Sequence, residues 1–232
     1  MKEAATYRYT GFYDLLADAI FQHRLAANCT DSYSMNRYAR ASVIASALSI
    51  ECAANCLLGS AKLPGALSEE IDKLRPLSKI DTALRLMSAC KLDRGRNEVQ
   101  KVSELIKARN DYVHPKAKKI EAGITSLEDA GEFWRLPMTL DGEHWTTIGI
   151  PKRAIFWSKA SSLAALKAIS DFFKYVFVDL LNANSNDLHG MLQSLIQIED
   201  LQLPAIFEDY CAELKNALEL GVDFSFFGMY QE

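Results

Sequence analysis

The stretch that decides the fold is NRYARASVIASALSIECAANCLL, residues Asn36 to Leu58. Apolar residues recur along it at three- and four-residue spacing, the period of an α-helix. Between Arg40 and Lys62 its one charge is Glu51. A helix of this length and apolarity resembles a membrane span, but Ser42, Ser46, Ser49, Glu51 and Asn55 make it too polar for one. The reading that fits is the buried central helix of a bundle. Its many Ala and Ser residues let neighbouring helices approach closely, and no membrane association is expected.

Working outward, the helical period continues almost throughout. It predicts a helix over Phe12–Ala27 and one over Asn36–Leu58 ending at Gly59. Another covers Ser68–Cys90, broken or kinked at Pro76. A fourth, Arg96–Val113, is stopped by His114-Pro115. The period then changes. Glu132–Leu140 and Glu143–Ile150 alternate around Asp141-Gly142, which predicts an inserted β-hairpin at about 132–150, with Pro137 marking an edge strand or bulge. A long helix is expected over Pro151–Leu181, with the proline in its first turn, then a loop at Asn182–Asn186. Short helices follow near Asp187–Ile198 and Pro204–Leu220, and the aromatic Phe224–Tyr230 stretch docks on the body or on a partner. The expected protein is mostly α: a bundle over residues 1–182 including the hairpin, and an acidic helical extension over 183–232 packed on the same domain.

Composition sets outer bounds. With 232 residues, 49% hydrophobic and 24% charged, the chain has the make-up of a globular protein with a sizeable core. Met1–Tyr13 carries Lys2, Glu3 and Arg8 with no apolar core, unlike a secretory signal. The cysteines Cys29, Cys52, Cys56, Cys90 and Cys211 are odd in number and form no CxxC pair. A reduced, cytoplasmic protein is expected, with Cys52 and Cys56 as small core residues and no metal. The net charge of −4 conceals an asymmetry. Lys91–Lys119 holds nine Lys/Arg against four Asp/Glu, whereas Ala183–Glu232 holds one Lys against nine Asp/Glu. The middle attracts a polyanion and the tail repels it.

The middle also carries the chain's most unusual chemistry, Lys107-Ala108-Arg109-Asn110-Asp111-Tyr112-Val113-His114-Pro115. Asn110 and His114 lie one turn apart, which brings their polar groups side by side. Arg109 lies about 140° around an ideal helix from His114, so the two converge only if the terminus unwinds, which Pro115 favours. A helix C-terminus stabilises a protonated imidazole, and a guanidinium fork suits a phosphate or a developing phosphorane. Together these side chains can perform phosphodiester chemistry without a metal. One helix earlier, Glu51 is a lone carboxylate in an apolar helix and needs a partner. Setting this face against the Arg96–Val113 helix would let Glu51 or Asn55 hydrogen-bond Arg109. Tyr112 continues the apolar stripe and reads as core. Lys107, Lys116, Lys118 and Lys119 flank the motif and favour RNA binding.

Arg109-Asn110-x-x-x-His114 at the end of a bundle helix resembles the R-x(4–6)-H signature of the HEPN superfamily, and the likeness covers about Asn36–Leu181. The resemblance implies a HEPN-like helical bundle, often dimeric, acting in many members as a metal-independent RNase of toxin–antitoxin, phage-defence or CRISPR systems. Other members are non-catalytic dimerisation or partner-binding modules. It implies Arg109 and His114 as the catalytic pair, Asn110, Glu51 and Asn55 as support, no cofactor, RNA as substrate, a homodimer, and an antitoxin or other protein partner. Some such toxins carry a Tyr two residues after the His as a modification site; here that position is Lys116. A ligand-binding bundle without nucleic acid is a third reading. His23, His144 and His189 are isolated and read as structural or surface residues. No Gly-rich phosphate loop or Gly-x-Ser-x-Gly occurs. Trp134, Trp145 and Trp157 cluster around the expected hairpin, where packing is favoured over base stacking.

Overall fold

In the computed structural model, helix α2 (Ser32–Ser60) runs through the centre of the bundle. The described residues are 5–61, 63–117, 123–124, 138–139, 143–198, 200–204 and 208–229. The Asp31 side chain accepts from the Ser34 amide at 2.8 Å, so α2 starts ahead of Asn36. Ala39, Val43, Ile50, Ala53 and Leu57 are fully buried. Helices α1 (Phe12–Asn28), α4 (Pro76–Met87), α5 (Asn97–Val113), α6 (Lys159–Phe173) and α7 (Ser185–Leu192) all pack on α2. Its small residues permit close approach: the buried Ser42 hydroxyl donates to the Ala19 carbonyl of α1 at 2.7 Å. Among the described residues α2 is the one helix long and apolar enough to cross a membrane, and most of its apolar surface is used inside the bundle.

The mostly α architecture with a β-hairpin is what the chain adopts, with differences in where elements begin. The stretch expected over Ser68–Cys90 is two helices, α3 (Gly65–Asp72) and α4, and Pro76 opens α4 at its first position. The helix expected from Pro151 starts at Lys159, because Ser158 and Ser161 form a reciprocal capping box there. Residues Lys174–Leu180 continue α6 with wider, π-type winding, seen in the bond from the Leu181 amide to the Val176 carbonyl.

Of the hairpin expected at 132–150, residues 132–137 and 140–142, with Trp134, lie outside the described residues. Strand β3 (Met138–Thr139) pairs with β2 (Gly123–Ile124). The expected return strand Glu143–Ile150 instead curls on itself. The Glu104 carboxylate of α5 gathers the Thr147 and Ile148 amides at 2.9 and 2.8 Å and also takes the Thr146 and Thr147 hydroxyls. Gly149, at φ 75°, supplies the left-handed residue the turn needs.

A hairpin does form further on. Where a helix was expected over Asp187–Ile198, α7 ends at Leu192 and β4 (Leu195–Ile198) pairs with β5 (Leu201–Pro204). The third strand, β1 (Ala5–Arg8), comes from the other end of the chain and pairs antiparallel with β4. Helix α8 (Glu208–Glu219) packs on α1. The aromatic tail docks on the body as expected: Phe224 and Phe227 are fully buried, and Phe227 lies 5.5 Å from Phe12 and 6.3 Å from Phe173, ring centre to ring centre.

Candidate functional site

Helix α5 presents Val99, Val102, Leu105 and Ala108 to the core, facing α6 and α2. Arg109 follows the last of these and is carried to the edge of the buried face. The helix ends at His114, whose amide still bonds to the Asn110 carbonyl at 2.9 Å while its own backbone leaves helical geometry at φ −124°, ψ 61°. The ring of Pro115 disfavours the helical region for His114, and the helix ends there.

Glu51 is the partner of Arg109. The guanidinium Nη2 donates to the carboxylate Oε2 in a short, charge-assisted bond, and Nη1 donates to the Asn110 side-chain oxygen at 2.9 Å. The Arg109 side chain is 19% exposed and that of Glu51 43%. Two of the three guanidinium nitrogens are therefore held, and the fork has a fixed direction. Asn55 is not part of this group. Its oxygen accepts from the buried Lys79 ammonium at 2.8 Å, and Lys79 also pairs with Asp72 at 2.5 Å. Lys79 comes from α4, which packs on α2 and reaches Asn55 first.

His114 is exposed, and among the described residues its imidazole has no hydrogen bond. Asn110, Asp111 and Lys116 are exposed with it. Tyr112, expected in the core, is 39% exposed; its ring lies 5.9 Å from that of buried Trp157, with the Arg40 guanidinium over it at 5.8 Å. Val113 is 43% exposed. The α5 stripe stops at Ala108 because the helix runs out past the bundle. Lys118 and Lys119 lie outside the described residues.

The other singled-out residues are structural. His23 is buried and bonds Ser162 at 2.7 Å; His189 bonds the Phe227 carbonyl at 2.7 Å. The Trp157 indole donates to the Pro151 carbonyl at 2.7 Å. Cys52 and Cys56 are half-buried at the margin of the core rather than inside it, and the Cys52 thiol donates to the Thr10 carbonyl at 2.6 Å.

Sequence reasoning missed a groove beside α5. It has a volume of about 400 Å³ and is lined by Arg75, Pro76, Leu77, Arg94, Lys107 and Asn110, among others. A second trough of about 300 Å³ shares Arg94 and Lys107 and extends toward Thr147. Burial pushes the Glu104 carboxyl at its margin up, but its four hydrogen bonds outweigh that and hold it below the usual carboxylate range. The excess of cations in Lys91–Lys119 announced part of this surface; Arg75, from a different helix, carried no local signal. No family model, characterised protein or solved structure matches the chain.

Proposed function

We propose that the end of α5 is the catalytic half-site of a HEPN-type, metal-independent endoribonuclease that acts as a homodimer. The observation that carries this reading is the relay from Glu51 through Arg109 to Asn110. A half-exposed carboxylate orients a mostly covered guanidinium at a helix end, within the same six residues as an accessible imidazole. Arg109 holds the non-bridging oxygens of the scissile phosphate and stabilises the charge that develops on them. His114 takes the proton from the 2′-hydroxyl, whose oxygen attacks the adjacent phosphorus. The P–O5′ bond breaks, and the partner's His114 protonates the departing oxygen. The products are a 2′,3′-cyclic phosphate and a 5′-hydroxyl. One chain supplies one such histidine, so the second comes from a symmetry mate, for which exposed Tyr112 and Val113 offer an apolar contact beside the site. Lys107 and Lys116 hold flanking phosphates.

One observation favours a second reading, a non-catalytic dimerisation module. Arg109 is mostly covered and already neutralised by Glu51, which weakens its pull on an added anion. Incubating the purified protein with RNA in EDTA, beside Arg109→Ala and His114→Ala, separates the two. The nuclease reading predicts cleavage by the wild type and a loss of about 100-fold or more in each variant, as for a general base or electrostatic clamp. Equal cleavage by all three, or none by any, rules out the nuclease reading.

A further inference from the structure

We propose that the groove between α4 and α5 is a track for the sugar–phosphate backbone of single-stranded RNA, with Arg75, Arg94 and Lys107 as its phosphate contacts. The proposal rests on the RNA-processing reading of the α5 terminus and names the path by which the strand reaches it. The three cations come from separate stretches: Arg75 caps α4, Arg94 lies in the turn before α5, and Lys107 is on α5 itself. All three are exposed and face one groove.

What sets them apart is their convergence on one groove; they share the lack of an ion pair with other described Lys and Arg side chains, Lys167 and Lys215 among them. Eight described Lys and Arg side chains, among them Arg24, Lys79 and Arg109, lie within 4.0 Å of a carboxylate. Among the described residues, no carboxylate lies within 4.0 Å of any of the three groove cations. Arg94 instead donates to the Ser78 hydroxyl in the first turn of α4 at 3.3 Å, which holds it over an electropositive helix end. Asp111 is the one carboxylate lining the larger trough. Glu104 lines the smaller one, and its oxygens are taken by Thr146, Thr147 and Ile148. Three cations facing Asp111 and an already occupied Glu104 leave an excess of positive charge in the troughs, and an anionic occupant relieves their repulsion.

The shape selects a strand over a compact anion. Two joined troughs run along α5, with a row of cations beside the apolar wall of Pro76, Leu77 and Ile106; no aromatic ring among the described residues lines them, so the grip is on the phosphates rather than on stacked bases. Ser103 and Asn110 offer polar contacts to base edges. The larger trough reaches Asn110, which holds Arg109, and Asp111 beside it, so a strand lying in it passes next to the relay.

The test uses a fluorescein-labelled single-stranded RNA of mixed sequence in EDTA. Binding is followed by anisotropy across a salt series for the wild type, Arg75→Ala/Arg94→Gln, and the control Lys167→Ala/Lys215→Ala. The control pair is exposed on α6 and α8, away from the groove. The groove variant loses about tenfold or more in affinity, and its log–log salt slope shrinks by about 1.4, or about 0.7 for each lost phosphate contact. The control stays near wild type. Equal weakening of both variants, or wild-type binding of polyglutamate but not of RNA, overturns the proposal. Selective loss of binding in a protein that never cleaves RNA leaves the groove standing and removes the nuclease reading. Cleavage at the wild-type rate and affinity by the groove variant does the reverse.

Discussion

Arg109 has little solvent to answer its charge, so Glu51 must do it. Removing the carboxylate strands a mostly covered cation. Glu51→Ala is expected to lower unfolding free energy by about 1–2 kcal/mol, less than for a fully buried pair because the carboxylate is half-exposed. Urea denaturation reads this, and a change below about 0.3 kcal/mol would show that the pair orients Arg109 without contributing stability. A second residue sets a pH limit. Burial pushes the His23 imidazole below its ordinary value, so the folded state holds it neutral while the unfolded chain takes up a proton first. Its contribution is complete above the unfolded value of about 6.5 and is eroded as pH falls from there toward the folded value. The melting temperature should drop more steeply between about pH 7 and 5 in the wild type than in His23→Gln, and parallel curves would contradict this. The Glu51–Arg109 pair was legible in the sequence because a lone carboxylate on an apolar helix has few possible partners. Asn55 was misplaced for a related reason. Its partner, Lys79, sits on α4, and how α4 lies after the break at Pro76 is a tertiary fact.

At the scale of elements, local signals set the helices and distant ones set the sheet. Periodicity placed α1, α2 and α5 closely, and Pro115 placed the end of α5. Two starts competed for α6, a proline at 151 and the Ser158–Ser161 box, and the box prevailed because it satisfies amides at both ends of the turn. Strand β1 was invisible because its partner, β4, lies at the far end of the chain. The turn at 146–148 was likewise set by Glu104 from another element. The Asn36 side chain ties the segment between that turn and α6 to α2. The buried Asn36 amide donates to the carbonyls of Ala154, Ile155 and Trp157 at 3.0, 3.1 and 2.8 Å. Asn36→Ala removes the donor that these three carbonyls share, although the Ala154 carbonyl keeps the Trp157 amide at 3.1 Å, and should cost about 1–3 kcal/mol. Calorimetry measures the total, and hydrogen exchange should show the loss concentrated in residues 151–158. Uniform loss of protection would mean that Asn36 supports the bundle as a whole instead.

For the whole molecule, one arrangement explains both the core and the site. The helix that resembles a membrane span by composition is consumed by five packing neighbours. Its single carboxylate emerges where α5 leaves the bundle. Beyond that point α5 has Tyr112, Val113 and His114 uncovered, and a basic groove runs alongside. On the proposed account a second copy covers the apolar tip and supplies the second imidazole. The attacking nucleophile is then the substrate's own 2′-hydroxyl, a claim tested most directly with paired oligonucleotides in EDTA. One is all-ribose, and the other has 2′-deoxyribose at each site cleaved in the first. The account predicts that the ribose strand is cut to 2′,3′-cyclic phosphate ends while the deoxy-substituted strand survives. Equal cutting of both strands, or an intact ribose strand, would contradict it.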